Sequence, residues 1–211
     1  MVSSEILDVS IRSLYVAGVA TLLASSWSLV LAFLLASKPR LRPLASILES
    51  LVGIPTVLVG LLLYMLLSRE GPLGVLELLY TPQAIIIGEA VLVTPLVTSV
   101  AYRVLRESIE TYGELALTLG ASRVQVIATV LSESLHGVIA SIVMGFSRAI
   151  GELGVALLVG GGIRGYTRTL TTAIALEVSR GRFEEAIAMG LVLVLIVATI
   201  SITLRVVWVR E

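Results

Sequence analysis

Glu110-Thr111-Tyr112-Gly113-Glu114-Leu115-Ala116-Leu117-Thr118-Leu119-Gly120-Ala121-Ser122-Arg123 is a polar, helix-prone stretch in a chain that is otherwise almost entirely apolar. Runs long enough to cross a lipid bilayer flank it on both sides, so it reads as a connector outside the hydrocarbon between two spans. Tyr112, Leu115, Ala116 and Leu119 would give a helix here one apolar side. Gly120 is placed to end that helix in a left-handed backbone conformation.

The composition agrees with a membrane setting. Of the 211 residues, 57% are hydrophobic and 14% charged, and the mean hydropathy is +1.03. A soluble domain of this length has no core large enough to hide so much apolar surface. The formal charge is zero and the charges lie between apolar runs rather than in one patch, which argues against nucleic acid as a partner. With no cysteine and one histidine, His136, the chain lacks the material for a thiolate or histidine metal cluster. Residues 1–13 contain Glu5, Asp8 and Arg12 rather than a basic leader and a short apolar core, so the first apolar run is expected to stay as a span.

Five runs are candidate spans: Leu14–Ala36, Leu44–Leu67, about Gln83–Leu105, about Glu133–Val159 and Phe183–Val207. Each is too long for a barrel strand and lacks strict alternation, so the expected class is all-α integral membrane. Pro55 and Pro95 lie inside runs and are expected to kink them. With the N-terminus outside, the inner segments hold Lys38, Arg40, Arg42, Arg103, Arg106, Arg123, Arg205 and Arg210, against Arg12, Arg69, Arg164, Arg168, Arg180 and Arg182 outside. The bias is small, but the short Lys-Pro-Arg-Leu-Arg loop at 38–42 points inside and sets the expected topology, with the C-terminus cytoplasmic.

Arg148 and Glu152 fall deep in the fourth run, four residues apart, a spacing that places them on one helix face. Charges at membrane depth cost roughly 2.5–3.5 kcal/mol each on insertion scales, so they face a bundle interior or water. The pair reads either as part of a pathway or gate, or as a structural clamp between helices. Glu89, in the third run, is a third candidate for the same path.

The spacing Glu114-x-Ala116-x-x-x-Gly120 resembles the E-A-A-x-x-x-G coupling loop of ATP-binding-cassette importer permeases, with Leu115 as a departure at the second position. A proline commonly follows that loop in the family; Ser132 stands here instead. Gly53-Ile54-Pro55-Thr56 through Tyr64 resembles the second-span motif of molybdate and tungstate permeases, and Ser68-Arg69-Glu70-Gly71-Pro72-Leu73-Gly74 their next loop. Phe146-Ser147-Arg148-Ala149-Ile150-Gly151-Glu152-Leu153-Gly154 resembles the oxyanion-permease signature, and residues 159–181 are similar to the tungstate branch.

The resemblance implies a type I ABC importer permease fold, with residues 1–211 as one transmembrane domain and a coupling helix at about 112–122. It implies a homodimer in the cell membrane, in contact with lipid, served by a dimer of ABC ATPase subunits and by an extracytoplasmic substrate-binding protein. Glu114, Leu115, Ala116, Leu119 and Gly120 would meet the ATPase. The substrate implied is tungstate, with molybdate or another oxyanion as the alternative. No cofactor is implied and the chain itself would not be an enzyme, for it contains no G-x-x-x-x-G-K-[ST] phosphate loop. Arg164 and Arg168, in an outer loop, would attract the anion, pair with acids of the binding protein, or simply stand solvated. A secondary transporter would need matching halves, and five spans do not divide so. A purely anchoring subunit would not need the loop at 110–123.

Overall fold

A computed structural model of the chain describes residues 2–208. Every regular element among them is helical: α1 (Val2–Ser37), α2 (Arg42–Leu51), α3 (Thr56–Leu67), α4 (Pro82–Ser108), α5 (Glu114–Thr118), α6 (Arg123–Ile150), α7 (Gly154–Gly160), α8 (Leu170–Ser179) and α9 (Phe183–Trp208). In α1, in α4 with its continuation, in α6 and in α9, the described residues supply four helices long and apolar enough to cross a membrane. A bent pair, Pro39–Leu51 with Thr56–Leu67, counts as a fifth pass if taken as one span. Many of their large apolar side chains, among them Leu22, Leu61, Val194 and Leu195, are exposed. That exposure is costly in water and expected in lipid.

Three expected spans take different forms. The run Leu44–Leu67 is not one kinked helix, because its halves are bent by 98°. Pro55 sits just before α3 with extended-side backbone (φ −59, ψ 121). Its ring bars the preceding turn from continuing as helix, so the expected kink becomes a break. Glu133–Val159 is also interrupted: α6 starts earlier, at Arg123, and stops at Ile150, and α7 is separate. His136 therefore lies within α6. The first span is longer than expected, since α1 begins at Val2 and runs as one helix to Ser37.

The contacts divide the chain into two compact units. One comprises residues 2–21, 54–93 and 146–208; the other comprises 22–53 and 94–145. In the first, Val9, Leu170, Ala173 and Met189 form a buried cluster, and Ser13 Oγ accepts a hydrogen bond from the Leu170 amide (2.8 Å). In that unit α3 packs closely on α7. A Cβ on Gly60 would lie 3.2 Å from Val155 Cα, and one on Gly154 would lie 2.9 Å from Thr56 Oγ1, so both positions need the small residue. In the second unit Ala32, Leu35, Ala45, Ala101, Tyr102, Leu105 and Val130 make the core. Trp27 Nε1 donates to Thr94 Oγ1 there (2.8 Å), which satisfies the indole in an apolar setting.

Candidate functional site

The stretch from Glu110 to Thr118 continues the helix of α4 rather than breaking it. α4 passes through a π-turn at Ile109–Gly113 straight into α5, and the helix can be followed from Pro82 to Thr118. α5 ends as Gly120 was expected to end it. Gly120 has φ +82, its amide donates to Leu117 O (3.0 Å) and the Ala121 amide donates to Ala116 O (3.0 Å). These two bonds are the Schellman closure, which pairs carbonyls that a helix end leaves free. The chain then turns at once into α6, where Ser122 Oγ and Gln125 Oε1 accept each other's backbone amides at 3.4 and 2.8 Å. This reciprocal cap fixes the start of the next helix.

The tip formed in this way is apolar and open. Tyr112, Leu115 and Leu119 are exposed, with Leu119 at 79%, Glu114 and Gly120 are exposed, and Ala116 is half-buried. Leu117, Val124 (78% exposed) and Ile127 extend the patch. Those three were missed in the sequence, although Val124 and Ile127 stand three apart at the start of α6, the spacing of one helix face. Exposed apolar side chains on a connector between spans make this tip a candidate interaction site.

Within the other unit, Arg148 Nη1 donates to Glu152 Oε2 at 2.6 Å. The two are paired as expected, but they do not share a helix. Arg148 is in the last turn of α6 and Glu152 lies in the gap before α7. The second oxygen, Oε1, accepts from the Val155 amide (3.2 Å) at the start of α7. Glu152 therefore caps one helix while holding the cation of another, which is the physical reason the run is broken here. Its side chain is 3% exposed, against 37% for Arg148. Thr171 Oγ1 donates to the Glu152 carbonyl (2.7 Å) and brings in α8. Glu89 is buried in α4, with Oε2 lacking a hydrogen-bond partner, and it lies within electrostatic range of Glu152 and Arg148.

Arg164 and Arg168 are neither free nor simply solvated. Glu5 of α1 holds both, at 2.7 Å and 3.2 Å. Arg168 also donates from Nε to the Gly162 carbonyl, and Arg12 donates from Nη1 to the Arg168 carbonyl. Glu177 holds Arg180 (3.2 Å), and Arg182 Nε lies 2.6 Å from its other oxygen in an ionic contact rather than a directed hydrogen bond. Glu5, Arg164, Arg168, Glu177, Arg180 and Arg182, together with Glu185, line one cavity of about 310 Å³.

An all-helical membrane chain with a capped, apolar, exposed helical tip bearing Glu114, Ala116 and Gly120 matches one known family over residues 15–210, the binding-protein-dependent transport system inner membrane component. The chain belongs to that family. It is thus a multi-pass inner-membrane permease subunit, not an enzyme, and its kind of transporter works with a separate ATPase and a substrate-binding protein. This permease is 41% identical over 194 residues to the tungstate uptake system permease protein TupB of Peptoclostridium acidaminophilum, a match covering 91% of this chain and 85% of the relative. It is 30% identical over 203 residues to the molybdenum transport system permease protein ModB of Escherichia coli K12, covering 90% and 87%. A crystal structure of an amino acid ABC transporter with histidines has the same fold, with a TM-score of 0.67 over 99% of this permease and 95% of the other chain at 15% identity.

Proposed function

We propose that this permease is the pathway subunit of an ATP-driven tungstate importer. The observation that carries the reading is the 41% identity to a tungstate permease along 91% of the chain. The subunit works as a homodimer of single transmembrane domains, each spanning residues 1–211, with lipid around it, the N-terminus outside and the C-terminus in the cytoplasm. A dimer of ABC ATPase subunits docks below, and the binding protein delivers the anion above. Glu114, Leu115, Ala116, Leu119 and Gly120 form the surface that meets the ATPase. An apolar tip with a half-buried alanine at its centre suits a shallow groove, and the Gly120 closure keeps the tip short. Closure of the ATPase dimer on ATP moves these tips and rocks the helices between outward- and inward-open states.

Arg148, Glu152 and Glu89 belong to the path or its gate in this reading. Arg148 keeps more than a third of its side chain accessible while Glu152 is held in place behind it, so an anion would meet a cation whose position is fixed. Molybdate is the second substrate reading, supported by the 30% identity to a molybdenum permease. The test is uptake of labelled tungstate, molybdate and sulfate by vesicles carrying permease, ATPase and binding protein. ATP-dependent tungstate uptake that excess molybdate and sulfate do not suppress is the expected result. Preference for molybdate or sulfate overturns the tungstate assignment.

A further inference from the structure

The π-turn between α4 and α5 is a second feature of the coupling region, and Glu110 sits in it. A π-turn carries one residue more than an α-turn, so the helix beyond it is rotated by about 100° from the course of a regular α-helix. The five residues Ile109–Gly113 form this turn. Ile109 packs into the core that includes Leu105 and Val130, and Gly113 is buried against α6, where a Cβ would meet Val130 and Val126 side chains at 3.6 and 3.7 Å. Glu110 lies on the open side. Its Oε1 accepts from Arg106 Nε at 2.9 Å, one turn back in α4, and is 3.6 Å from Arg42 Nη2, the first residue of α2. Arg106 also donates to the Tyr102 hydroxyl (3.4 Å), which anchors it on α4. One carboxylate oxygen in the widened turn is therefore gripped by two guanidinium groups from two elements.

Had the same residues run on as α-helix, the side on which Leu115 and Leu119 now stand would turn by about 100°. We propose that Glu110 is a positioning residue for ATP-driven transport: through Arg106 and Arg42 it holds the π-turn, and the π-turn sets which face α5 presents. This rests on the reading of residues 114–120 as the coupling surface and adds a residue outside it. The grip is half exposed, 52% at both Glu110 and Arg42, and such pairs contribute only about 0–1 kcal/mol to stability. Its loss leaves the fold intact and shifts the register of one turn.

The experiment measures tungstate imported per ATP hydrolysed in vesicles holding the whole transporter. Wild-type uptake and ATPase co-purification that Ala116→Trp abolishes establish the coupling reading separately. Glu110→Gln is expected to assemble with the ATPase and hydrolyse ATP normally while importing roughly threefold less per ATP, the factor expected of a weak pair. Deleting Thr111 in that variant removes the extra residue, so a regular α-helix now carries α5 to its original face without Glu110. The deletion is expected to restore the import-to-hydrolysis ratio. An unchanged ratio in Glu110→Gln overturns the proposal and leaves the coupling surface standing. So does a defect that the deletion fails to mend, or loss of ATPase binding by Glu110→Gln, which would make Glu110 a docking contact.

Discussion

Glu152 is 3% exposed and Arg148 37%, and this asymmetry predicts unequal damage from two neutralising changes. Arg148→Gln leaves a buried carboxylate without its cation, whereas Glu152→Gln leaves a cation that the protein only partly encloses and keeps an acceptor for the Val155 amide. Arg148→Gln is expected to lower the melting temperature in detergent more than Glu152→Gln. The double variant is expected to recover part of the Arg148→Gln loss, with a coupling of about 1–3 kcal/mol. Strict additivity would show that the pair does not matter. At the exposed tip, Ala116→Trp adds bulk to the surface proposed to meet the ATPase and is expected to cut ATPase co-purification by about tenfold, or 1.4 kcal/mol. Gly120→Val forces a β-branched residue into φ +82 and opens the helix closure. Both variants should still insert in the membrane. Normal uptake by Ala116→Trp would remove residues 114–120 from the coupling role.

Among the elements, α3 and α7 meet through two glycines. Gly154→Val puts a side chain 3.1 Å from the Val57 backbone nitrogen, where nothing flexible can yield, so a loss of about 1–3 kcal/mol is expected. Gly190→Ala, with open space around it in α9, serves as the control and should melt like the parent. Equal melting of the two would contradict the packing described. Element type was legible along most of the chain because hydropathy over 20 residues is a strong signal. What escaped was local. Averaging over Leu44–Leu67 hid a turn that Gly53 and Pro55 announced, and the same averaging hid the gap at Gly151–Leu153. Gly120 was readable, because one residue type suits its conformation. The π-turn was not, since a single surplus residue in a helix leaves no mark in composition. Nor were the partners of Arg164 and Arg168, because Glu5 lies more than 150 positions away.

For the whole molecule, the orientation is open to a direct test on this cysteine-free chain. Ser37→Cys, exposed at the end of α1, should be shielded from an impermeant thiol reagent added outside, and Val75→Cys, at a 91% exposed site between α3 and α4, should react. The reverse pattern inverts the topology. Gly71 in the same loop is unsuitable, as a Cβ there would run into the Met65 carbonyl oxygen.

The two compact units are not finished at the same moment of synthesis. The unit holding the π-turn and the apolar tip uses residues 22–53 and 94–145, so all of its chain exists once Gly145 has been made. The other needs residues 146–208 as well, and its Ser13–Leu170 and Glu5–Arg168 bonds join the beginning of the chain to a part made some 150 residues later. Long-range closure of that kind is slow, and chains tend to fold from the N-terminus as they emerge. A chain that has cleared the ribosome as far as Gly145 would therefore have one unit complete while residues 2–21, at the start of its first helix, still wait for partners.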